Sequence, residues 1–464
     1  MQSSTLVTAA TDHSRHFIRH IAQIALHFEW LALLIMIAAF WSPDFRRVWS
    51  LLVILPILAA RLILYRRLWK STPLDPIFIL LILLGILNFT IAPYRQGIVR
   101  LDILSIQLTL PYNLVALGRP IFGILIATTF ADRAFRQGSA RELIWFSVGL
   151  GLLIGILGLT AAQYTTKSNQ LEFIIHLLPQ FRAFPGAEGG FNVNEIGGAM
   201  AWFAPFCAGV GIWSWRQWRA AGARSSLVLA CISGIAFISL WGALFLGQSR
   251  LAIFGVLLVL FAIVWLMVPP GRWRKIGLAI AAFFFMAELV LLSGIINPQA
   301  AELAERDEGS ASSRLLMWES VLSIVIDHPL SGVGVNNFRY GPVRDDYPVT
   351  GYINGQRILP HTHNEWLQFA ADLGIPGFML YIAMQIVALW MLWKVWQKGS
   401  ANERMLALAV AAGLTAHAFF GLGDAVTIWD RFAFGLWWLL GIACALFVLV
   451  QPRRSSDKIA AVVR

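Results

Sequence analysis

The sequence of residues 226–268 is SLVLACISGIAFISLWGALFLGQSRLAIFGVLLVLFAIVWLMV, and its hydrophobic pattern indicates the class of fold. Two apolar runs of about 20 residues lie on either side of the short polar sequence Gln248-Ser249-Arg250. A run of this length is typical of a membrane helix, because about 20 helical residues cross the hydrocarbon core of a bilayer. The stretch therefore predicts two consecutive membrane helices joined by a tight polar turn.

The same pattern continues through the chain of 464 residues, of which 58% are hydrophobic and 13% charged. A soluble domain carries about 25% charged residues. A membrane β-barrel is excluded in practice, because its strands alternate in polarity over about ten residues. We predict an all-α polytopic membrane protein with about twelve spans and one large insertion that contains amphipathic helices. The spans are expected near residues 21–41, 49–65, 75–93, 110–131, 143–165, 194–213, 226–246, 251–269, 276–296, 375–393, 403–422 and 432–451. The segment Arg100–Tyr112 is expected to be an interfacial stretch that leads into the fourth span.

The net charge of +11 comes from basic residues spread over the short loops, so a nucleic-acid partner is not predicted. Alternate loops each carry about three basic residues, and the positive-inside rule places those loops and both termini in the cytoplasm. Membrane lipids are the expected surroundings. The loop residues are Arg66, Arg67 and Lys70; Arg133, Arg136 and Arg141; Arg216, Arg219 and Arg224; Arg272, Arg274 and Lys275; Lys394, Lys398 and Arg404; and Arg453 and Arg454.

The long polar insertion lies on the opposite, outer side by this count, at a periplasmic or extracellular membrane surface. It divides the chain into spans one to nine over residues 1–296, a periplasmic loop domain over 297–374, and spans ten to twelve with a cytoplasmic tail over 375–464. Ser312 and Ser313 are candidate N-caps for an amphipathic helix from Arg314 to about Asp327. Its predicted apolar face comprises Leu315, Trp318, Val321, Leu322 and Val325.

The most informative motif of this insertion is HTHNEWLQ at residues 361–368. Thr362 and Glu365 match a capping box, which predicts a helix that begins with His363 and ends near Gly374. The helix dipole would disfavour a charged ring on His363, leaving it able to accept a proton. Backbone N–H groups at the same helix start could hold an anion such as phosphate.

Three interpretations of His363 remain open from the residues alone. It could act as a general base or as part of an anion site, or serve as a structural histidine in a folded loop. A third interpretation is metal binding with His361 and with Asp345, Asp346 or Glu365, although no spacing is diagnostic. We predict no metal and no cofactor.

Three arginines are candidate ligands of a phosphate or diphosphate, because the planar guanidinium group binds such anions with two hydrogen bonds. Arg250 lies between two apolar spans, where the alternative is contact with lipid headgroups. Arg182 belongs to a Gly-rich loop and could simply be solvated, and Arg314 begins the amphipathic helix, where packing could also explain it. His361, Asn364 and Asn194 are candidate contacts of an acceptor or a sugar. Glu195, Asp424 and Asp430 could also contact sugar hydroxyls, but these three residues and Asn194 suit helix caps or loops better.

Four motifs together resemble the O-antigen ligase/polymerase superfamily of bacterial membrane glycosyltransferases. They are QSR at 248–250, R-x-x-x-W at 314–318, HPLSGVGVNNF at 328–338 and HTHNEWLQFAADLGIPGF at 361–378. FNVNEIGGAM at 191–200 is similar to the start of a conserved span of that family. The motifs cover roughly residues 170–390, and the predicted topology matches along the whole chain.

The resemblance implies a metal-independent, inverting glycosyltransferase with a GT-C-like fold in the bacterial inner membrane. The implied donor is a glycan on undecaprenyl diphosphate at the periplasmic face, and a ligase transfers it to lipid A–core oligosaccharide. His363 corresponds to the essential histidine of the family, Arg250 to a diphosphate-contacting arginine and Arg182 to a second one, although the loop around Arg182 is variable. A polymerase or a protein O-oligosaccharyltransferase of the same superfamily, a lipid-linked glycan transporter and a purely structural membrane protein are the alternatives.

Overall fold

The computed structural model describes residues 16–41, 49–103, 106–164, 172–181, 184, 187–292, 311–349 and 361–452. Within these ranges the protein is built almost entirely of helices. In chain order the elements are α1 (His16–His27), α2 (Glu29–Trp41), α3 (Trp49–Tyr65), α4 (Asp75–Ile91), β1 (Ile98–Ile103), β2 (Ile106–Pro111), α5 (Tyr112–Ala116), α6 (Gly118–Gln137), α7 (Arg141–Ala161), α8 (Glu172–Ile175), α9 (Val193–Ala221), α10 (Arg224–Gly247), α11 (Arg250–Met267), α12 (Arg272–Leu292), α13 (Ala311–Asp327), α14 (Gly341–Asp346), α15 (Glu365–Lys398), α16 (Ala401–Phe420) and α17 (Phe434–Val450).

Within the described ranges, eight helical stretches are long and apolar enough to cross a membrane, and a ninth results if α1 and α2, which meet at 48°, form one bent span. This finding confirms the predicted all-α polytopic membrane fold. The apolar helices Val53–Tyr65 and Asp75–Ile91 are shorter, and they occupy the second and third predicted spans. Helix α12 occupies the ninth. The total of about twelve crossings stays a prediction.

A small β-hairpin occupies the segment that was expected to be an interfacial stretch. Strands β1 and β2 pair antiparallel, with Ile98 opposite Pro111 and Ile103 opposite Ile106. Whether this hairpin lies at the membrane interface stays a prediction. The strands are rich in β-branched and other apolar residues (IVRLDI and IQLTLP), which favour extended backbone.

Close contacts between helix backbones hold α9, α11 and α16 together in the bundle. A methyl group on Gly413 of α16 would lie 2.4 Å from the carbonyl oxygen of Trp202 in α9. One on Gly255 of α11 would lie 2.4 Å from the carbonyl oxygen of Ala416 in α16. Small residues allow membrane helices to approach in this way.

The start of α9, the start of α11 and the end of α16 meet at one end of the bundle, which we call the site end. Gly197 of α9 packs on Ser249, the residue that immediately precedes α11. Leu251 of α11 packs on Gly423, three residues after α16 ends. Helix packing therefore brings three chain segments that are distant in sequence to one place.

The opposite end of the bundle carries a buried ion-pair network that joins α2, α3 and α6. Glu29 and Arg61 are fully buried and lie 2.6 Å apart, and Arg136 contacts both Glu29 at 2.6 Å and Asp132 at 2.8 Å. Breaking a buried pair of this kind typically costs about 3–5 kcal/mol, because it leaves an uncompensated charge. The network therefore ties these helices together far from the site end.

The amphipathic helix α13 spans Ala311–Asp327, so Ser312 and Ser313 lie inside it and do not precede it. Its fully buried side chains are Met317, Val321 and Ile324. The predicted apolar face was therefore wrong, because the buried face of the helix lies at a different angle around its axis. Leu315 and Leu322 are 62% and 54% exposed, Trp318 and Val325 are half-buried, and only Val321 lies in the core.

The turn that follows α13 interlocks with a break in α15. Gly332 and Gly374 have φ angles of +58° and +68°, and a side chain on either would collide with the backbone of the other turn at 2.3–2.6 Å. The break at Gly374 confirms the predicted end of the short helix that starts near His363. The side chain of Asn88 in α4 holds the turn after α13 with two hydrogen bonds. It donates to the Ser331 carbonyl and accepts from the Val335 N–H. This packing fixes the first turns of α15 at the site end.

Candidate functional site

The helix start that carries the HTHNEWLQ motif differs from the prediction. The N-cap is Asn364, whose Oδ1 accepts a hydrogen bond from Leu367 N at 3.0 Å. Glu365 is buried and points into the bundle, so the predicted capping box with Thr362 was wrong. His363 precedes the helix and has a φ angle of +48°, so the prediction that it occupies the first helical position was also wrong.

Tertiary hydrogen bonds select Asn364 as the cap. Its Nδ2 donates to the Leu422 carbonyl at 3.0 Å, so both polar ends of this side chain are engaged. The Trp318 indole of α13 donates to the Thr362 carbonyl at 3.1 Å. These bonds hold residues 361–364 between α13 and the loop after α16. They place the His363 ring at the surface of the site end, with 15% of its side chain exposed.

His363 faces a carboxylate that lies 61 residues later in the chain. Its Nδ1 lies 3.2 Å from Oδ1 of Asp424, in the loop between α16 and α17. Ala425 N–H donates to the same oxygen at 2.9 Å. Burial by itself raises the pKa of Asp424, but the hydrogen bond from His363 and the surrounding positive charges outweigh it and hold this pKa well below its usual range.

The ionised Asp424 determines which nitrogen of His363 is available for chemistry. A carboxylate only accepts hydrogen bonds, so Nδ1 of His363 carries the proton that is donated to Asp424. The lone pair of the neutral ring then lies on Nε2. The arrangement therefore leaves Nε2 as a proton acceptor, oriented by a hydrogen bond on the other side of the ring.

His361 packs edge-on against His363, with ring centroids 4.4 Å apart. Burial lowers the pKa of His361 to about 4, so its ring is neutral near pH 7. Its Nδ1 accepts from the backbone N–H of His363 at 3.2 Å, and its Nε2 lies 3.8 Å from Asp424 Oδ1. His361 thus stabilises the left-handed backbone of His363.

Two of the three predicted arginines lie at the site end. Nη2 of Arg314, in the first turn of α13, lies 3.7 Å from Asp424 Oδ2, and the buried Nε of Arg314 forms no hydrogen bond within the described ranges. Arg250 begins α11, beside Leu251, which packs on Gly423. Its side chain is exposed. Arg182 lies outside the described residues.

Asn194 lies in the first turn of α9. Its backbone N–H donates to the side chain of Asn192, which is the N-cap. The neighbouring Glu195 pairs with Arg431 at 3.0 Å. Arg339 similarly pairs with Asp430 at 3.0 Å.

Asp424, Arg339 and Arg431 are the site-end residues that sequence reasoning did not select. Asp424 was considered only as a cap or sugar contact. The available signal was its place in the polar turn GLGDAVTIWDR between two spans on the same side as the histidines. Nothing in the sequence pairs it with His363, since the contact depends on how α15 and α16 pack.

A metal ion is the other group that this geometry could accommodate. One ligand atom each of His361, His363 and Asp424 lie within 4.8 Å of one another. Asp345, Asp346 and Glu365, considered earlier as partners, are not in this group. The guanidinium of Arg314 contacts the same carboxylate and opposes a second cation there.

The fold and the site define a multi-pass membrane protein that carries an oriented histidine and arginines at one end of its helix bundle. Residues 235–382 match the family model described as O-Antigen ligase. This range includes Arg250, Arg314 and His363. The chain is also 32% identical over 95 residues to a Rickettsia conorii protein provisionally named a polysaccharide ligase, and the alignment covers 19% of this chain and 22% of that relative. Both findings confirm the resemblance to the O-antigen ligase superfamily.

Proposed function

We propose that this protein is an O-antigen ligase that transfers a polysaccharide from undecaprenyl diphosphate to lipid A–core oligosaccharide. The observation that carries the proposal is the His363–Asp424 pair, which leaves a proton-accepting nitrogen near Arg314, at the bundle end where Arg250 begins α11. Such a site suits the removal of a proton from a hydroxyl next to a negatively charged leaving group. The family match and the polysaccharide ligase relative support the same chemistry.

The reaction would be a single displacement at the anomeric carbon of the donor glycan. The acceptor hydroxyl oxygen forms the new bond to this carbon, and the bond between the carbon and the diphosphate oxygen breaks. Nε2 of His363 takes the hydroxyl proton, while Asp424 stabilises the imidazolium that forms. The electron pair leaves with undecaprenyl diphosphate, whose charge Arg250, Arg314 and Arg182 would stabilise. One displacement inverts the anomeric configuration.

The orientation in the membrane belongs to the same proposal. Basic residues counted with the short loops lie near the opposite end, as Arg67 and Arg136 do beside Asp132. By the positive-inside rule that end is cytoplasmic, and the site end faces the periplasm of a bacterial inner membrane. Residues 297–374 would then form the periplasmic loop domain. His361, Asn364 and Asn194 would lie near the acceptor or the sugars.

The decisive experiment is transfer in proteoliposomes with a defined lipid-linked donor and purified lipid A–core. Wild-type protein should form the glycan–core bond, and His363→Ala should abolish it while the protein stays folded. His328→Ala is the matched control, because His328 lies in the same insertion but contacts Tyr94 and Tyr347 instead of the site. A transfer rate equal to that of wild type in His363→Ala would exclude His363 as the general base.

The molecule that receives the glycan distinguishes the ligase from the related activities. Growth of the lipid-linked glycan itself identifies a polymerase, and transfer to Ser or Thr of a peptide identifies a protein O-oligosaccharyltransferase. Movement of the donor across the vesicle membrane without bond formation, persisting in His363→Ala, identifies a transporter.

A further inference from the structure

A second histidine–carboxylate pair lies inside the bundle beneath the site. Nε2 of His417, in the last turn of α16, lies 2.6 Å from Oε2 of Glu365, the first residue of α15. Both side chains are buried, with exposures of 1% and 0%. The indole of Trp202 stacks flat on the His417 ring at 3.6 Å, which restricts its orientation. The pair takes no part in the proposed displacement.

The hydrogen bonds of His417 limit how many protons this pair holds. Its Nδ1 lies 2.9 Å from the carbonyl oxygen of Gly198 in α9. A carbonyl oxygen only accepts, so Nδ1 carries a proton. The 2.6 Å contact between Nε2 and Glu365 Oε2 then requires one shared proton. The pair is neutral overall, whichever atom holds this proton.

The pair joins the two chain segments that carry the site residues. Glu365 follows His363 by two residues, and its backbone N–H donates to the Gly421 carbonyl at 2.8 Å. Gly421 N–H in turn donates to the His417 carbonyl at 2.8 Å, and the chain reaches Asp424 three residues later. A shift of either partner would therefore change the distance between His363 and Asp424.

We propose that Glu365 and His417 form a positioning pair that holds Asp424 against Nδ1 of His363. The proposal rests on the proposed glycosyl transfer. The hydrogen bond to Gly198, the stacking on Trp202 and the 2.6 Å contact with Glu365 fix one orientation of His417. Apolar side chains of the same volume would allow α15 and α16 to shift relative to each other. The pair touches neither substrate nor reacting atoms, so its effect must pass through the alignment of the base.

The test compares substitutions that remove the hydrogen bond with one that keeps it. Glu365→Leu and His417→Leu should each lower kcat about 10- to 100-fold with KM within about threefold, because misalignment acts on the transition state. Glu365→Gln keeps a side-chain amide that can donate to Nε2, and it should retain kcat within about fivefold. Gly421→Ala places a methyl group 3.1–3.2 Å from Glu365 and gives an intermediate loss without removing either partner.

A double-mutant cycle separates positioning from a general loss of structure. If Glu365 acts through Asp424, Glu365→Leu combined with Asp424→Asn should have the same kcat as Asp424→Asn alone. Multiplied losses overturn the proposal, as does a folded Glu365→Leu protein with wild-type kcat. Glu29→Leu is the control, since Glu29 is an equally buried carboxylate at the opposite end. It should lower the melting temperature and leave kcat within about twofold.

One readout does not depend on activity. In nitrogen-15 histidine spectra, the Nδ1–H signal of His363 hydrogen-bonded to Asp424 should persist in Glu365→Gln and disappear in Glu365→Leu. If this Nδ1–H signal persists in Glu365→Leu, the positioning role is overturned. That conclusion holds even if the glycan acceptor is not lipid A–core oligosaccharide. A wild-type protein that forms no glycosidic bond instead refutes the proposed function.

Discussion

Nδ1 of His363 lies 3.2 Å from Oδ1 of Asp424, and this contact joins the start of α15 to the loop after α16. The carboxylate fixes the tautomer of the ring, and the tautomer determines whether Nε2 can accept a proton. The properties of the site therefore depend on Asp424 as much as on His363.

Replacing Asp424 with asparagine should lower kcat on the order of 10²- to 10⁴-fold, the range expected for loss of general base catalysis. The asparagine amide can donate to Nδ1 and move the ring proton to Nε2, which removes the acceptor. Initial transfer rates at saturating donor and acceptor measure the effect. Asp424→Glu keeps the charge and should lose less activity; equal activity of wild type and Asp424→Asn would contradict the role.

Arg250→Ala should raise the KM for the lipid-linked donor and lower kcat roughly 10²-fold, the usual effect of removing one stabiliser of developing charge. Arg250→Lys should recover only part of the loss, because lysine lacks the planar fork. Arg219→Ala, an exposed arginine near the other end of α9, serves as the control and should leave both constants unchanged. Full recovery with lysine would indicate a simple point charge.

Treatment with EDTA should leave transfer unchanged, because Arg314 already supplies a cation beside Asp424. The comparison is the same protein after EDTA with and without added Mg²⁺, Mn²⁺ or Zn²⁺. Loss of activity that one of these ions restores would assign a metal to His361, His363 and Asp424 instead.

The pH dependence of stability should reveal the burial of His361. Its pKa is about 4 in the folded protein against an ordinary value of 6.5, so the unfolded chain binds a proton between these pH values that the folded protein does not. Stability should therefore fall as the pH is lowered from 6.5 to 4, by on the order of 3 kcal/mol in all. His361→Asn should flatten this part of the melting-temperature profile, and a profile as steep as that of wild type would contradict the assignment.

The membrane helices were predictable because apolar run length reports directly on bilayer crossing. The break at Gly374 was predictable too, since glycine followed by Pro376 is a strong local signal. The start of α15 was not. Thr362 and Asn364 are both good N-caps two residues apart, and distant partners, Leu422 and Trp318, decide between them.

The prediction of the apolar face of α13 was wrong for a related reason. Apolar residues occupy more than one side of this helix, with Val321 and Ile324 in the core and Leu315 and Leu322 exposed. Periodicity alone cannot choose between two apolar faces when the packing partner is unknown. The candidate histidine was visible in the sequence, but its carboxylate partner was not, because helix packing creates their contact.

The two interlocked glycines, Gly332 and Gly374, bear on how chimeras of such proteins should be built. Each turn occupies space that a side chain on the other would fill, so the turns fit only as a matched set. If a transplanted insertion ended before Gly374, its Gly332 turn would pack against a helix from another protein that lacks the matching break. The two backbones would then not fit together. The boundaries of an exchangeable module therefore lie beyond Pro376, inside what looks like a continuous membrane helix.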